Sequence, residues 1–203
     1  MGKQNEIKAF IFDIGGVMYK EDTNYARICK KLGIDLKKFM KVWEKYRHAG
    51  STGKITNAKY ISLIAKEVKT DSERLYRVWR QIKLKEMKRM PGMESIVKKL
   101  KNRKYIVGTL TNVMGVHHEM RNEIGAYDHF HFNICSCEVG IRKPDKRIYL
   151  LLLKKLKLHP KEIVFIDDYE PCLKPARKLG LKAIRFKNPK KLIQDLKKLG
   201  VKT

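Results

Sequence analysis

Acidic residues are scarce in this chain: 21 Asp and Glu stand against 47 Lys and Arg among 203 residues, a formal charge of +26. Cysteine is sparse too. Four cysteines over this length do not build a disulfide scaffold, and no N-x-[ST] sequon occurs, so a reducing cytoplasm is the expected location. Long apolar runs are missing. The longest uncharged stretch, Tyr105–His118, is too short and too polar to cross a bilayer, which takes about 20 apolar residues. The first ten residues carry no signal-peptide apolar segment. A Walker A loop, a nucleophile elbow, a G-x-G-x-x-G turn, internal repeats and low-complexity linkers are all absent. What is present is 43% hydrophobic residues, enough for a core, which excludes a disordered basic tail as the whole protein.

The positive charge raises the question of nucleic acid. Its distribution answers against that. Lys30-Lys31, Lys98-Lys99, Lys154-Lys155 and Lys197-Lys198 are scattered pairs beside apolar residues, as on solvated helix faces, and no basic arm or zinc-finger spacing accompanies them. A field of this sign suits a small anionic substrate such as a phosphate ester better than a polynucleotide. It serves solubility in any case.

Apolar periodicity divides the chain. Ile7–Phe12 reads as a buried strand that ends in the turn Asp13-Ile14-Gly15-Gly16. From about residue 19 to 90 the period is helical: Phe39, Val42, Trp43 and Tyr46; Ile61, Ile64, Ala65 and Val68; Leu75, Val78, Trp79 and Ile82. After Pro91-Gly92, strands alternate with helices. Strands are expected at 105–110, 132–135, 163–166 and 182–185, with a Lys-rich helix at the end. Such alternation implies an α/β fold, a doubly wound parallel sheet with helices on both faces.

Ligands of such sheets bind beyond the carboxyl ends of the strands. Those ends here carry Asp13, Thr111-Asn112 and Asp167-Asp168, and a loop before a helix carries Lys143. A carboxylate can attack phosphorus and form an aspartyl-phosphate. Two anions repel, so a divalent cation must lie between them, and Mg²⁺ takes carboxylate, phosphate and water oxygens. Asp13 with Asp167 or Asp168 supplies that set, Thr111 a hydroxyl, Lys143 a point charge, and Gly15 and Gly16 backbone amides unobstructed by a Cβ. Each residue has a plainer reading alone: an Asp at a strand end also caps helices and forms turns, and a lysine before a proline is common on a surface this basic.

Four stretches in this order resemble the motifs of the haloacid dehalogenase superfamily. Phe12-Asp13-Ile14-Gly15-Gly16-Val17 is similar to the motif bearing the nucleophilic aspartate, and Leu110-Thr111-Asn112 to the one whose hydroxyl meets the phosphate. Gly140-Ile141-Arg142-Lys143-Pro144-Asp145 is similar to the motif of the charge-neutralising lysine, and Phe165-Ile166-Asp167-Asp168 to the motif that holds Mg²⁺. The resemblance implies a Rossmann-like core, residues 1–18 and 91–203, with an inserted helical cap, residues 19–90. It implies Asp13, Thr111 and Lys143 as catalytic, Asn112 and Gly16 as substrate-binding, and Asp13, Asp167, Asp168 and the Gly15 carbonyl as Mg²⁺ ligands.

The sequence departs from that pattern twice. Gly15 stands where phosphatases of the family commonly have a second aspartate, the general acid and base, so good leaving groups are favoured over alkyl esters. Cys172 stands where relatives commonly have Asn, with Pro171 and Pro175 nearby. The expected function is a Mg²⁺-dependent hydrolase of small phosphorylated metabolites. Two alternatives stay open: a 2-haloacid dehalogenase, which needs no acid but also no acidic doublet, and a weak or inactive protein that binds a partner or nucleic acid through its basic surface. Oligomeric state is not legible. Cys135-x-Cys137 lacks a second zinc pair, His117-His118 side chains diverge on a helix, and His129 and His131 have only Asp128 nearby, so structural roles are expected for these residues.

Overall fold

The computed structural model describes residues 6–20 and 24–201. Residues 1–5, 21–23 and 202–203, which the expected division of the chain includes, lie outside the described residues. The chain opens with β1 (Ala9–Phe12), whose four residues are all buried, and β2 (Tyr19–Lys20). Four helices follow, α1 (Tyr25–Leu32), α2 (Leu36–Ser51), α3 (Asn57–Val68) and α4 (Ser72–Glu86), then β3 (Lys88–Arg89). The rest alternates: α5 (Met93–Asn102), β4 (Ile106–Thr111), α6 (Gly115–Glu123), β5 (Phe132–Cys135), α7 (Ser136–Val139), α8 (Lys146–Leu156), a 3-10 turn at Pro160–Glu162, β6 (Ile163–Asp167), α9 (Glu170–Lys178), β7 (Lys182–Arg185) and α10 (Pro189–Lys198).

Five strands pair in parallel in the order β5-β4-β1-β6-β7, so β1 lies at the centre with β4 on one side and β6 on the other. The pleat sorts their side chains. Phe10, Phe12, Val107, Val164 and Ile166 enter one apolar layer with Val97, Leu100 and Leu196. Ala9, Ile11, Leu110, Ile163 and Phe165 enter the other with Ile148, Leu152 and Leu173. A sheet covered on both faces needs near-continuous apolar strands, and AFIF and IVFI meet that need.

Helices α1 to α4 enclose a separate apolar cluster around Trp79, Phe39, Tyr60 and Ile64. Their starts are capped as the sequence dictates: Asn24, Asp35, Thr56 and Asp71 each accept a hydrogen bond from a backbone N–H of the first turn. Met114 and Val116 from the β4–α6 segment belong to the same cluster, and the Trp79 indole donates to His117 Nε2 at 3.0 Å. The helical layer thus rests on α6. It also meets α7, where a Cβ on Gly53 would fall 2.1 Å from the Cys137 carbonyl oxygen.

The expectation of an uninterrupted helical block over 19–90 needs correction at its ends. Tyr19 pairs with Arg89 and Lys20 with Lys88 in an antiparallel ribbon, extended by a Met90 N–H to Met18 carbonyl bond of 2.8 Å. Strands of two residues carry no periodic signal, and their pairing partners lie far apart in sequence. The α7 turn and the 3-10 turn, of four and three residues, are likewise too short to carry a periodic signal.

Candidate active site

Asp13 follows β1 directly, and its N–H still donates to the Ile166 carbonyl at 2.8 Å, so the end of β1 is locked to the end of β6. Asp167 closes β6 and Asp168 follows it. The carboxylates of Asp13, Asp167 and Asp168 offer oxygens that all lie within 4.8 Å of one another. Lys143, on the loop before α8, reaches the same point. Its Nζ lies 2.6 Å from Asp167 Oδ2 and 3.2 Å from Asp13 Oδ1, and its side chain is 1% exposed. Three positions, the first more than a hundred residues before the other two, therefore share one small volume.

Charge in that volume is unbalanced. Burial opposes the charge on Lys143, yet the carboxylates of Asp13 and Asp167 outweigh it and hold the ammonium above the ordinary lysine value. Burial raises the Asp167 carboxyl, Lys143 pulls it back, and Asp13 adds to the rise. Burial and then the charges of Asp13 and Asp167 raise Asp168 as well. One ammonium faces three carboxylates.

Hydrogen bonding singles out Asp13. Asp167 accepts from the Tyr169 N–H at one oxygen and from Lys143 at the other. Asp13 Oδ1 is buried and accepts no hydrogen bond from the described residues; the 3.2 Å approach of Lys143 is an ion pair whose hydrogen bond is directed to Asp167 instead. A buried carboxylate oxygen without a donor is costly unless a ligand completes it. An all-oxygen cluster with excess negative charge fits a hard divalent cation such as Mg²⁺.

The turn after Asp13 is tightly built. Gly16 has φ +74°, and a Cβ there would lie 2.2 Å from Asp168 Oδ2. Only glycine lets the turn and that carboxylate coexist. The Gly16 N–H, expected to face an anion, donates instead to the Tyr19 carbonyl at 2.8 Å. Among the described residues, the N–H groups of Ile14 and Gly15 have no backbone acceptor. Ile14 was not singled out by sequence, because a backbone donor leaves no residue-type signature.

Thr111 ends β4 next to β1, fully buried, and its Oγ1 accepts from Arg121 Nη1 at 3.1 Å, leaving its own proton to donate. Arg121 is a neighbour that sequence reasoning missed; nothing in the spacing of α6 marks it. Asn112 meets the Lys143 backbone at both ends of its amide. Its Nδ2 donates to the Lys143 carbonyl and its Oδ1 accepts from the Lys143 N–H, both at 2.8 Å. The amide thus clamps the loop that delivers the lysine. Cys172 is buried near this cluster, its thiol pushed up to about 12 chiefly by burial.

Away from this rim, His118, Cys135 and Glu138 come together as possible ligand atoms, a grouping that their spacing in sequence conceals. They are closed among themselves. His118 Nδ1 meets the Tyr127 hydroxyl and Nε2 meets Glu138, each at 3.2 Å.

Residues 7–180 match the family model of haloacid dehalogenase-like hydrolases. Over 71 residues, 35% of this chain, the sequence is 45% identical to bifunctional epoxide hydrolase 2 of Mus musculus, of whose length that stretch covers 13%. It is 21% identical over 199 residues to the glyceraldehyde 3-phosphate phosphatase of Methanopyrus kandleri, covering 91% of this chain and 85% of that one. The fold is similar to that of a haloacid dehalogenase family enzyme from Bacteroides thetaiotaomicron solved in complex with magnesium and inorganic phosphate. The TM-score is 0.74 at 23% identity, covering 90% of this chain and 95% of that one. No helix among the described residues is long and apolar enough to cross a membrane.

Proposed function

The chain belongs to the haloacid dehalogenase-like hydrolases, and from that premise we propose that it is a Mg²⁺-dependent phosphohydrolase of small phosphorylated metabolites. The observation that carries this reading is the convergence of the Asp13, Asp167 and Asp168 carboxylates within 4.8 Å of one another, with the Lys143 ammonium 3.2 Å from Asp13 Oδ1. The similarity to a relative named as a glyceraldehyde 3-phosphate phosphatase supports it. In this reading residues 1–18 and 91–203 form the catalytic core and 19–90 the helical cap, of the subgroup whose first motif is Asp-x-Gly-Gly-Val.

Asp13, Asp168, the Gly15 carbonyl and Asp167 would hold the cation. When bound, Mg²⁺ neutralises carboxylate and phosphoryl charge and makes phosphorus more electrophilic. Asp13 attacks phosphorus; the bond to the ester oxygen breaks and that oxygen leaves with the electron pair. Lys143 compensates the phosphoryl charge, the Thr111 hydroxyl donates to a phosphoryl oxygen, and the free N–H groups of Ile14 and Gly15 suit the same oxygens. Asn112 keeps Lys143 in place. Water then attacks the phosphorus of the aspartyl-phosphate, passes its proton to solvent water, and releases phosphate and the Asp13 carboxylate. Gly15 offers no side chain to protonate the leaving oxygen, a loss of roughly 10²–10⁴-fold for poor leaving groups. Aryl and acyl phosphates are therefore the expected substrates.

A panel of aryl, acyl and alkyl phosphates and 2-haloacids, assayed with Mg²⁺ and with chelator, tests this. Hydrolysis of aryl and acyl phosphates only with Mg²⁺, lost in Asp13→Asn, is the expected result. Halide release without metal would establish the dehalogenase alternative instead, and no turnover of any compound would favour a binding protein.

A further inference from the structure

A cleft of about 660 Å³ opens between the helical layer and the sheet, lined from one side by Arg47, His48 and Lys54 and from the other by Arg142, Lys143 and Arg147, among others. Its one lining carboxylate, Asp145, is already taken: Arg147 donates to both its oxygens, at 2.6 and 3.1 Å. Arg47 is held by two 2.8 Å hydrogen bonds to Glu44, with its guanidinium 5.5 Å from the Trp43 ring centroid. Arg142 and Lys54 make no hydrogen bond or ion pair among the described residues. Lys54 is exposed, but Arg142 is half-buried. Burial, and then the charge of Arg47, works against the Arg142 cation, which nonetheless cannot shed its proton.

A half-buried guanidinium beside a second one is unfavourable, the Glu44 carboxylate on Arg47 offsets this only in part, and an anion in the cleft would favour both cations. The scissile phosphoryl group does not fill that need, because its place is set by Lys143, which lines the cleft, and by Asp13 and Asp167, which Lys143 contacts beyond it. Resting on the phosphohydrolase reading, we propose that the substrate is doubly anionic: a phosphate ester whose far end carries a second phosphate or carboxylate group, held by Arg142 with Lys54 and Arg47. A guanidinium matches either oxyacid in a forked geometry, and Lys54 adds a mobile charge from the opposite wall. The arrangement makes the helical layer a reader of charge at the remote end of the substrate.

The test uses aryl phosphates with one leaving group and three tails on a methylene spacer: carboxamide, carboxylate and phosphonate. Matched leaving groups cancel the effect of Gly15. With Mg²⁺ at low salt, kcat/KM for the anionic-tailed esters should exceed that for the carboxamide by roughly tenfold or more. That ratio should fall several-fold in Arg142→Gln and in Lys54→Gln, recover in part in Arg142→Lys, and shrink as salt is added. Lys54 is exposed, so its variant reports binding even if the Arg142 variant misfolds. The carboxylate and phosphonate arms tell which oxyacid is preferred. Equal turnover of all three tails, or ratios unmoved in both Gln variants, overturns this inference and leaves the phosphohydrolase reading standing. Absence of turnover on every ester removes both.

Discussion

Lys143→Met keeps the length of the stem and deletes the cation that, among the described residues, lies between Asp13 and Asp167. The native side chain is 1% exposed and touches two carboxylates, at 2.6 and 3.2 Å. Breaking a buried ion pair by removing one partner costs about 3–5 kcal/mol, because the orphaned charge stays buried. That is a large share of a total stability of about 5–15 kcal/mol. With a urea dependence of about 2–3 kcal/mol/M, the midpoint should drop by about 1–2.5 M in EDTA at pH 8. Two further readings identify the cause. Mg²⁺ should restore part of the loss, since it binds the folded carboxylates and not the unfolded chain. Lower pH should do so too. Asp167 and Asp168 already lie above the ordinary carboxylate value, and removing Lys143 raises Asp167 further. A carboxyl whose folded pKa exceeds its unfolded one costs stability above the folded pKa and nothing below the unfolded one, about 3.9. The deficit therefore narrows as pH falls through the folded values. A variant that unfolds within about 0.5 M urea of the parent in EDTA at pH 8 would refute the reasoning.

Gly16→Ala places a Cβ 2.2 Å from Asp168 Oδ2 and demands φ +74° of an L-residue. It should cost about 1–2 kcal/mol from the backbone alone and weaken Mg²⁺ binding, measured by thermal melts and titration calorimetry; unchanged affinity would mean that Asp168 is not a ligand. Asn112→Ala removes both hydrogen bonds to the Lys143 backbone, with an expected loss of about 1–3 kcal/mol and a fall in kcat larger than any change in KM. Cysteine alkylation should be slow. Burial pushes Cys29 and Cys137 up to about 11 and Cys135 and Cys172 up to about 12, so at pH 8 about one thiol in a thousand or fewer is ionised. Half-buried Cys137 should react with iodoacetamide more than about tenfold slower than a free thiol, accelerating toward pH 10, and the three buried cysteines only on unfolding; rapid native labelling of Cys172 would contradict this.

Local pattern determined much of this protein. Four apolar residues before Asp13, four before Asp167 and the run before Thr111 place three polar side chains at the ends of adjacent parallel strands, and the 3.6-residue period of 36–86 produces the helical layer. These are properties of neighbours along the chain, so they are written in order and spacing. Pairings between distant segments are not. Nothing in residue 112 says that its amide is used on the backbone of residue 143, nor in residue 121 that it reaches Thr111. The two-residue ribbon at 19–20 and 88–89 is too short for any period. The meeting of Lys143 with Asp13 and Asp167, and the cleft that the half-buried Arg142 shares with Arg47 and Lys54, exist only once the chain has folded. Burial and charge balance are sums over everything near a point in space, and the linear sequence does not list what is near.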